Sequence, residues 1–242
     1  MNALKVTLLP TQQLRLPLAH QHMIQGALYA VWRNVYPELH DDGYQVGSRS
    51  FRMFTFSPLQ GRYKIDGKDI LFDGLVRLEV RSPVSELIET LANGLMDHRR
   101  VLFGQRELRV VNLETADRLL FFPAARIHMV APVTIHQTLD SGKTLYYEPT
   151  DEQFSMLLTQ NLASKLRAAD MMETVPALGI TPEVSTLRRR TTLFKGIYIA
   201  GYLGTFRLET DPASMALLYY AGLGDRSSNG FGMFNIEDPP PN

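Results

Sequence analysis

Ala221 to Phe234 reads AGLGDRSSNGFGMF, with Gly222, Gly224, Gly230 and Gly232 inside eleven residues and Arg226, Ser227, Ser228 and Asn229 between them. Glycines bare the backbone N–H groups, Arg226 adds a charge, and the hydroxyls and the amide add donors. Together these can cradle a phosphate. The same residues can equally do no more than turn the chain, because glycine relieves the left-handed position after a helix. The spacing matches neither GxGxxG nor GxxxxGK[ST], and it leads into a strand rather than a helix, so it is not a nucleotide fingerprint. Upstream stand Arg188, Arg189, Arg190 and Lys195, in LRRRTTLFKG. Between residues 186 and 230, six basic residues (these four with Arg207 and Arg226) face three acids, Glu209, Asp211 and Asp225. The stretch is either a solvated charged turn or a local basic patch.

The six histidines are the other chemically versatile groups. His20 and His22 bracket the start of a helix. They could form a metal pair, but no third ligand accompanies them, and capping or surface roles fit better. His98 follows a helix and suits its C-terminal dipole. His128 and His136 read as strand-face residues. His40 lies in the polar stretch HDDGYQVGSRS, where position alone makes it a surface histidine.

Composition narrows the classes. The 242 residues allow one large domain or two of ordinary size, and 45% hydrophobic content supports a real core. No apolar run approaches the ~20 residues of a membrane span. The N-terminus shows no apolar signal region. The absence of cysteine excludes disulfides, thiolate metal sites and a cysteine nucleophile, and suits the cytoplasm. A net charge of zero counts against a nucleic-acid binder unless the positive charge is gathered on one face. It leaves a small-ligand or regulatory domain open.

The elements that would position these residues follow from periodicity. Asn2–Leu9 alternates and ends at Pro10, a strand. Gln21–Val35 carries Ile24, Leu28, Val31 and Val35 at helical spacing. Phe51–Ser57 reads as one strand, with Phe51, Met53, Thr55 and Ser57 on one face and Arg52, Phe54 and Phe56 on the other. DILFDGLVRLEVRS is a further strand. Ser82-Pro83 opens a helix with Val84, Leu87, Ile88 and Leu91 inside. RRVLFGQRELRVVNLE returns to strand. This is the βαββαβ order of a ferredoxin-like sandwich.

A second copy starts near Arg126, with RIHMVAPVTIHQ as a strand and SGKTLYYEP as a hairpin arm. A helix follows over Asp151–Arg167, with Phe154, Leu157, Leu158 and Leu162 inside. TLFKGIYIAGYLGTFRLET holds two strands, and a helix capped by Asp211 runs to about Tyr220. The glycine loop then leads into FGMFNIE. The fold class is therefore α+β: two tandem ferredoxin-like units, each an antiparallel sheet with helices on one face, over 1–125 and 126–242. PPPN reads as a disordered tail.

Two such units, GLGDRSSNGFGMF at the end, LHDDGYQVGSRSFRMFTFSPL near the start and PTDEQFSMLLTQNLASKLRA between them resemble the CRISPR-associated repeat-processing endoribonucleases. These are repeat-associated proteins with tandem RRM-like units, and the likeness covers nearly the whole chain. It implies cleavage of precursor CRISPR RNA inside each repeat, without metal or other cofactor, by a ribose 2′-hydroxyl attacking the adjacent phosphate. The same fold also serves a non-catalytic RNA-binding subunit of a CRISPR complex. The expected partner is CRISPR repeat RNA. Other CRISPR-associated proteins and a homodimer stay open, and no membrane is expected.

The resemblance places a catalytic histidine in the loop after the first helix, which is His40, with a helix tyrosine and a basic residue beside it. Tyr29 is the first candidate for the tyrosine and Tyr36 the second. Arg49 is the first basic candidate and Arg52 the second. An expected lysine is absent from this loop, and arginine does not serve as a proton donor. The RNA-binding set implied is Arg52, Arg188, Arg189, Arg190, Lys195, Gly222, Gly224, Arg226, Ser227, Ser228, Asn229, Gly230 and Gly232. Phe231, Phe234 and Tyr202 are candidate stacking faces, with core packing as the alternative.

Overall fold

The computed structural model describes residues 1–33, 35, 43–47, 49–115, 119–171 and 176–237. Its first half runs β1 (Ala3–Pro10), β2 (Leu14–Pro17), α1 (Gln21–Trp32), β3 (Tyr44–Val46), β4 (Arg49–Phe51), β5 (Thr55–Phe56), β6 (Gln60–Asp66), β7 (Asp69–Arg81), α2 (Ser85–His98), β8 (Arg100–Phe103) and β9 (Arg106–Thr115). The second half runs β10 (Ala124–Met129), β11 (His136–Thr138), β12 (Thr144–Tyr146), α3 (Glu152–Ala168), β13 (Gly179–Pro182), β14 (Arg188–Phe194), β15 (Ile197–Leu203), β16 (Thr205–Glu209), α4 (Pro212–Ala221) and β17 (Phe234–Ile236).

Each half builds one antiparallel sheet in the same order. In the first, β9, β1 and β7 lie side by side, with β5 and β6 on the far edge of β7. In the second the order is β17, β10, β16, β13. Both place the fourth βαββαβ strand beside the first, then the third and the second, so the chain is two tandem ferredoxin-like units. The strand expected as RIHMVAPVTIHQ breaks at Pro132. Its first part is the core strand β10, and its end pairs with β12 in a separate hairpin. The second core strand of this unit is the short β13, which carries little alternation to reveal it. The residues after Thr191 do not give two core strands. β14 and β15 close a separate hairpin on Lys195 (φ 48°) and Gly196 (φ 84°), a two-residue turn with both central φ angles positive.

Side-chain spacing explains the packing. On β1, Leu4, Val6 and Leu8 alternate into the first core. On α1, Ile24, Leu28 and Trp32 stack at four-residue spacing, and Trp32 Nε1 donates to Leu87 O at 2.8 Å, pinning α1 to α2. The helix ends at Trp32, so Val35, expected on the buried face, is exposed. Ser82 does not cap α2 directly. Its Oγ accepts from Val84 N–H and donates to Met53 O, while the helix begins at Ser85. Asp211 does cap α4, its Oδ1 accepting from the N–H groups of Ala213 and Ser214 at 3.0 Å each.

Phe51–Ser57 is not one strand. Met53 takes a left-handed conformation (φ 52°) and divides β4 from β5. The break sends Met53 into the second core and Phe54 and Phe56 into the first. The two units are joined again by Arg81, which is 1% exposed. It donates to Glu79 Oε1 at 2.7 Å, to Phe234 O at 2.6 Å and to Asn235 Oδ1 at 2.7 Å, and lies 4.0 Å from the centroid of the Tyr219 ring. Removing one partner of a buried ionic network leaves the others uncompensated. Arg81→Met is therefore expected to cost about 3 kcal/mol in urea unfolding, whereas the same change at exposed Arg62 costs under about 0.5 kcal/mol.

Candidate functional site

A cleft of about 940 Å³ opens between the units. Gln25 and Tyr29 of α1 line one side with Ser50 to Phe54. His136 to Thr138, Gln160, Asn161 and the glycine loop from Gly224 to Asn229 line the other, and Phe194 and Lys195 stand at the hairpin tip. Its charged lining is Arg52, Lys165, Lys195 and Arg226 against Asp225.

The glycine loop has a fixed shape. Gly232 sits so close to Leu223 that a Cβ there would lie 2.1 Å from Leu223 O, and Gly224 (φ 78°) would place one 2.6 Å from Thr134 O. Neither position admits another residue. The N–H groups of Leu223, Asp225, Asn229, Gly230 and Gly232 donate to backbone oxygens within the second unit. The glycines serve close packing, and the amides of Gly230 and Gly232 are already engaged. The first unit grips the loop from the other side. Gln25 Nε2 donates to Ser228 O at 2.9 Å and Asn229 Oδ1 at 2.8 Å, and Thr55 Oγ1 donates to Phe231 O at 3.1 Å.

Beneath the loop is a group the sequence reading missed. Lys165 of α3 is 3% exposed, and its Nζ donates to Gly222 O at 2.5 Å, Gly224 O at 2.8 Å and Ser227 Oγ at 3.3 Å. Burial pulls its pKa down to about 7, and the nearby Asp225 carboxylate works in the opposite direction. Asp225 anchors the opposite end of this network. Its Oδ1 accepts from Asn161 Nδ2 at 2.8 Å, and its Oδ2 accepts from His136 N–H at 3.1 Å and lies 2.8 Å from His136 Nδ1. The signal lay in α3. Asn161 and Lys165 share the buried stripe of Leu158, Leu162 and Leu166, and polar groups at buried helical positions need partners.

Of the expected residues, the cleft gathers Tyr29, Arg52, Lys195, Gly224, Arg226, Ser227, Ser228 and Asn229. Gly222, Gly230 and Gly232 are packed behind it. Arg188, Arg189 and Arg190 are exposed on β14, away from its lining. Phe231, Phe234 and Tyr202 are core residues, so none offers a stacking face. His136, read as a strand-face residue, lines the cleft. His40 and Tyr36 lie outside the described residues, as do the side chain of Arg49 and the tail PPPN. The described candidates meet at Tyr29. Burial raises its phenol above the usual range, while Arg52 pulls the other way, and the side chains of Arg52 and Ser228 stand within hydrogen-bonding reach. A phenol so placed keeps its proton. Across the cleft, Arg226 Nε is buried with no hydrogen-bond partner among the described residues. Neither a metal-binding group of His, Cys, Asp and Glu nor a helix long and apolar enough to cross a membrane occurs among the described residues.

Comparison with known proteins gives the family. The model of the N-terminal part of the CRISPR-associated protein Cas6 matches residues 15–114, and that of its C-terminal part matches residues 121–236. The chain belongs to the Cas6 family. It is 28% identical over 240 residues to CRISPR-associated endoribonuclease Cas6 1 of Methanocaldococcus jannaschii, covering 92% of this chain and 88% of that one. Two solved structures share the Cas6 fold seen here. A Cas6-related protein of Pyrococcus furiosus superposes with TM-score 0.83 at 18% identity, over 98% of both chains. A repeat-associated (RAMP) protein described as binding different RNA substrates superposes with TM-score 0.81 at 19% identity, over 98% of this chain and 100% of that one.

Asp225 gives the site a pH signature. Burial alone would raise its pKa, but the His136 hydrogen bonds and charge, with Lys165, outweigh this and hold the carboxyl below the usual range. The unfolded chain, with a carboxyl near ~3.9, then binds protons before the folded one does. The stabilisation is full above about pH 4 and is lost as pH falls through the native value. In urea unfolding at about pH 7, Asp225→Asn is expected to lower stability by about 2 kcal/mol and to flatten the loss of stability below about pH 4.

Proposed function

We propose that this chain is an endoribonuclease that processes precursor CRISPR RNA, cutting within the repeat without a metal ion. A ribose 2′-oxygen forms a bond to the adjacent phosphorus, and the bond from phosphorus to the 5′-oxygen breaks. The products are a 2′,3′-cyclic phosphate and a 5′-hydroxyl. A base takes the 2′-hydroxyl proton, an acid returns one to the 5′-oxygen, and positive charge steadies the phosphorane between them. His40 is the acid/base group, because imidazole exchanges protons near neutral pH. Tyr29, with its proton held in place, donates a hydrogen bond or a proton. Arg49 and Arg52 carry the stabilising charge.

The observation that supports this reading best is the meeting of Tyr29, Arg52 and Ser228 in a basic cleft walled by the glycine loop. The name of the Methanocaldococcus relative, an endoribonuclease, agrees with it. RNA would lie against Arg52, Lys195, Arg226 and the polar side chains of Ser227, Ser228 and Asn229, with Arg188, Arg189 and Arg190 extending the contact along the hairpin. Gly222, Gly224, Gly230 and Gly232 would act by shaping the loop. We place the division of the two units at 125/126.

A second reading is a non-catalytic RNA-binding subunit of a CRISPR complex. The feature in its favour is that the basic neighbour of Tyr29 is an arginine, which does not release a proton near neutral pH. One experiment separates the two. End-labelled repeat RNA, and the same RNA with one 2′-deoxy sugar at the cut site, are incubated with protein in EDTA. Cleavage of the all-ribose RNA alone is expected. His40→Ala should slow it by about 10²–10⁴-fold and Tyr29→Phe by about tenfold or more. Tight binding without a cut selects the second reading, and neither binding nor cutting removes both.

A further inference from the structure

Resting on that RNA reading, we propose that Lys165 is a positioning residue for the RNA site, acting through the glycine loop rather than on the RNA itself. Three oxygens of the loop, at residues 222, 224 and 227, end on one ammonium. They are successive points along the segment that carries Arg226, Ser227, Ser228 and Asn229 into the cleft. On the amide side, Asp225 and Gly232 donate outside the loop, to Thr134 O and Pro132 O, and Leu223, Asn229 and Gly230 donate to oxygens of the loop itself. The carbonyl side has Lys165 as its inner anchor. Asp225 lies inside the same turn and faces the ammonium, and is itself held by Asn161 and His136. With the ammonium gone, the Gly222 and Gly224 carbonyls are left buried without it. A buried acceptor that loses its donor turns toward water or another donor. Either movement takes the Arg226 guanidinium and the Ser227–Asn229 side chains out of register with a ligand in the cleft. Tyr29 stands on α1 of the other unit and keeps Arg52 beside it when Ser228 moves, so the loss falls on RNA affinity more than on the rate once RNA is bound.

The test uses the absence of cysteine from the chain. Lys165→Cys is alkylated in the denatured protein with 2-bromoethylamine or with 2-iodoethanol and refolded. The first restores an ammonium at lysine's reach, and the second gives a neutral hydroxyl at the same reach. Lys165→Met is the apolar comparison. Folding is followed by circular dichroism, repeat-RNA affinity by fluorescence anisotropy at about pH 6, where the ammonium is charged, and cleavage by single turnover at saturating RNA. Wild type and the aminoethyl protein should bind alike. The hydroxyethyl and Met proteins should fold but bind about tenfold more weakly, with the saturated rate changed by less than about threefold.

Wild-type affinity in the folded neutral variants overturns the proposal. So does a folded aminoethyl protein that stays weak. If only the ammonium-bearing proteins fold, Lys165 serves the fold alone and the proposal falls. If wild type does not bind repeat RNA, the RNA reading falls and this inference with it, a result distinct from wild-type binding that Lys165 does not influence.

Discussion

A loop with four glycines has few side chains with which to hold a shape, and glycine gives up more freedom on ordering than any other residue. Here one buried ammonium restrains the loop from inside. Lys165 ties together Gly222, Gly224 and Ser227 from inside the second unit. Burying a charge is costly unless it is hydrogen-bonded. Three acceptors and a carboxylate neighbour are what make this burial tolerable. The geometry is mutual, since each loop oxygen that satisfies the lysine is also held by it. The cleft wall is therefore anchored in part by a group 57 residues away in sequence.

The same loop welds the two units. Gln25 and Thr55 reach it from the first unit, and Gly230 lies so close to Phe56 that a Cβ would stand 2.8 Å from the ring. Arg81 repeats the device a strand away by holding Phe234 and Asn235 of β17. Met53 adds a third link, since its left-handed turn lets one short segment feed both cores. Polar and kinked positions make these crossings beside apolar contacts such as Met53 and Phe51 against the second core. The cleft lies between these ties, so its two walls keep their relative position.

The parts of this design that repeat along the chain were legible in the sequence. Alternation marked β1, helical spacing marked α1 to α3, and Asp211-Pro212 marked the start of α4. The βαββαβ order read twice from these elements is the order the sheets adopt. What escaped was set by contacts distant in sequence. The break at Met53 follows from two cores competing for one strand. Trp32 rather than Val35 closes the face of α1 because Leu87 O offers its indole a partner. β13 is too short to show a period. The roles of Lys165, Arg81 and Asp225 depend on partners distant in sequence. The residue types that could cradle a phosphate were legible as a set. That Ser227 would turn inward to Lys165 while Ser228 and Asn229 line the cleft was not, because those partners are distant in sequence.

Net neutrality also misleads when it is read as an even spread of charge. Acids elsewhere are engaged with local arginines, Asp66 and Asp69 with Arg15, and Glu183 and Glu237 with Arg126. The acid of the cleft lining, Asp225, is committed to His136 and Asn161 and faces Lys165. Arg52, Lys195 and Arg226 thus dominate the field inside the cleft. Affinity for a polyanion depends on cations that converge on one path, and the pairing of acids with arginines outside the cleft leaves that convergence intact. A chain of zero net charge can therefore present an anion-binding groove, provided its acids are held elsewhere or buried, and burial is the role Asp225 plays.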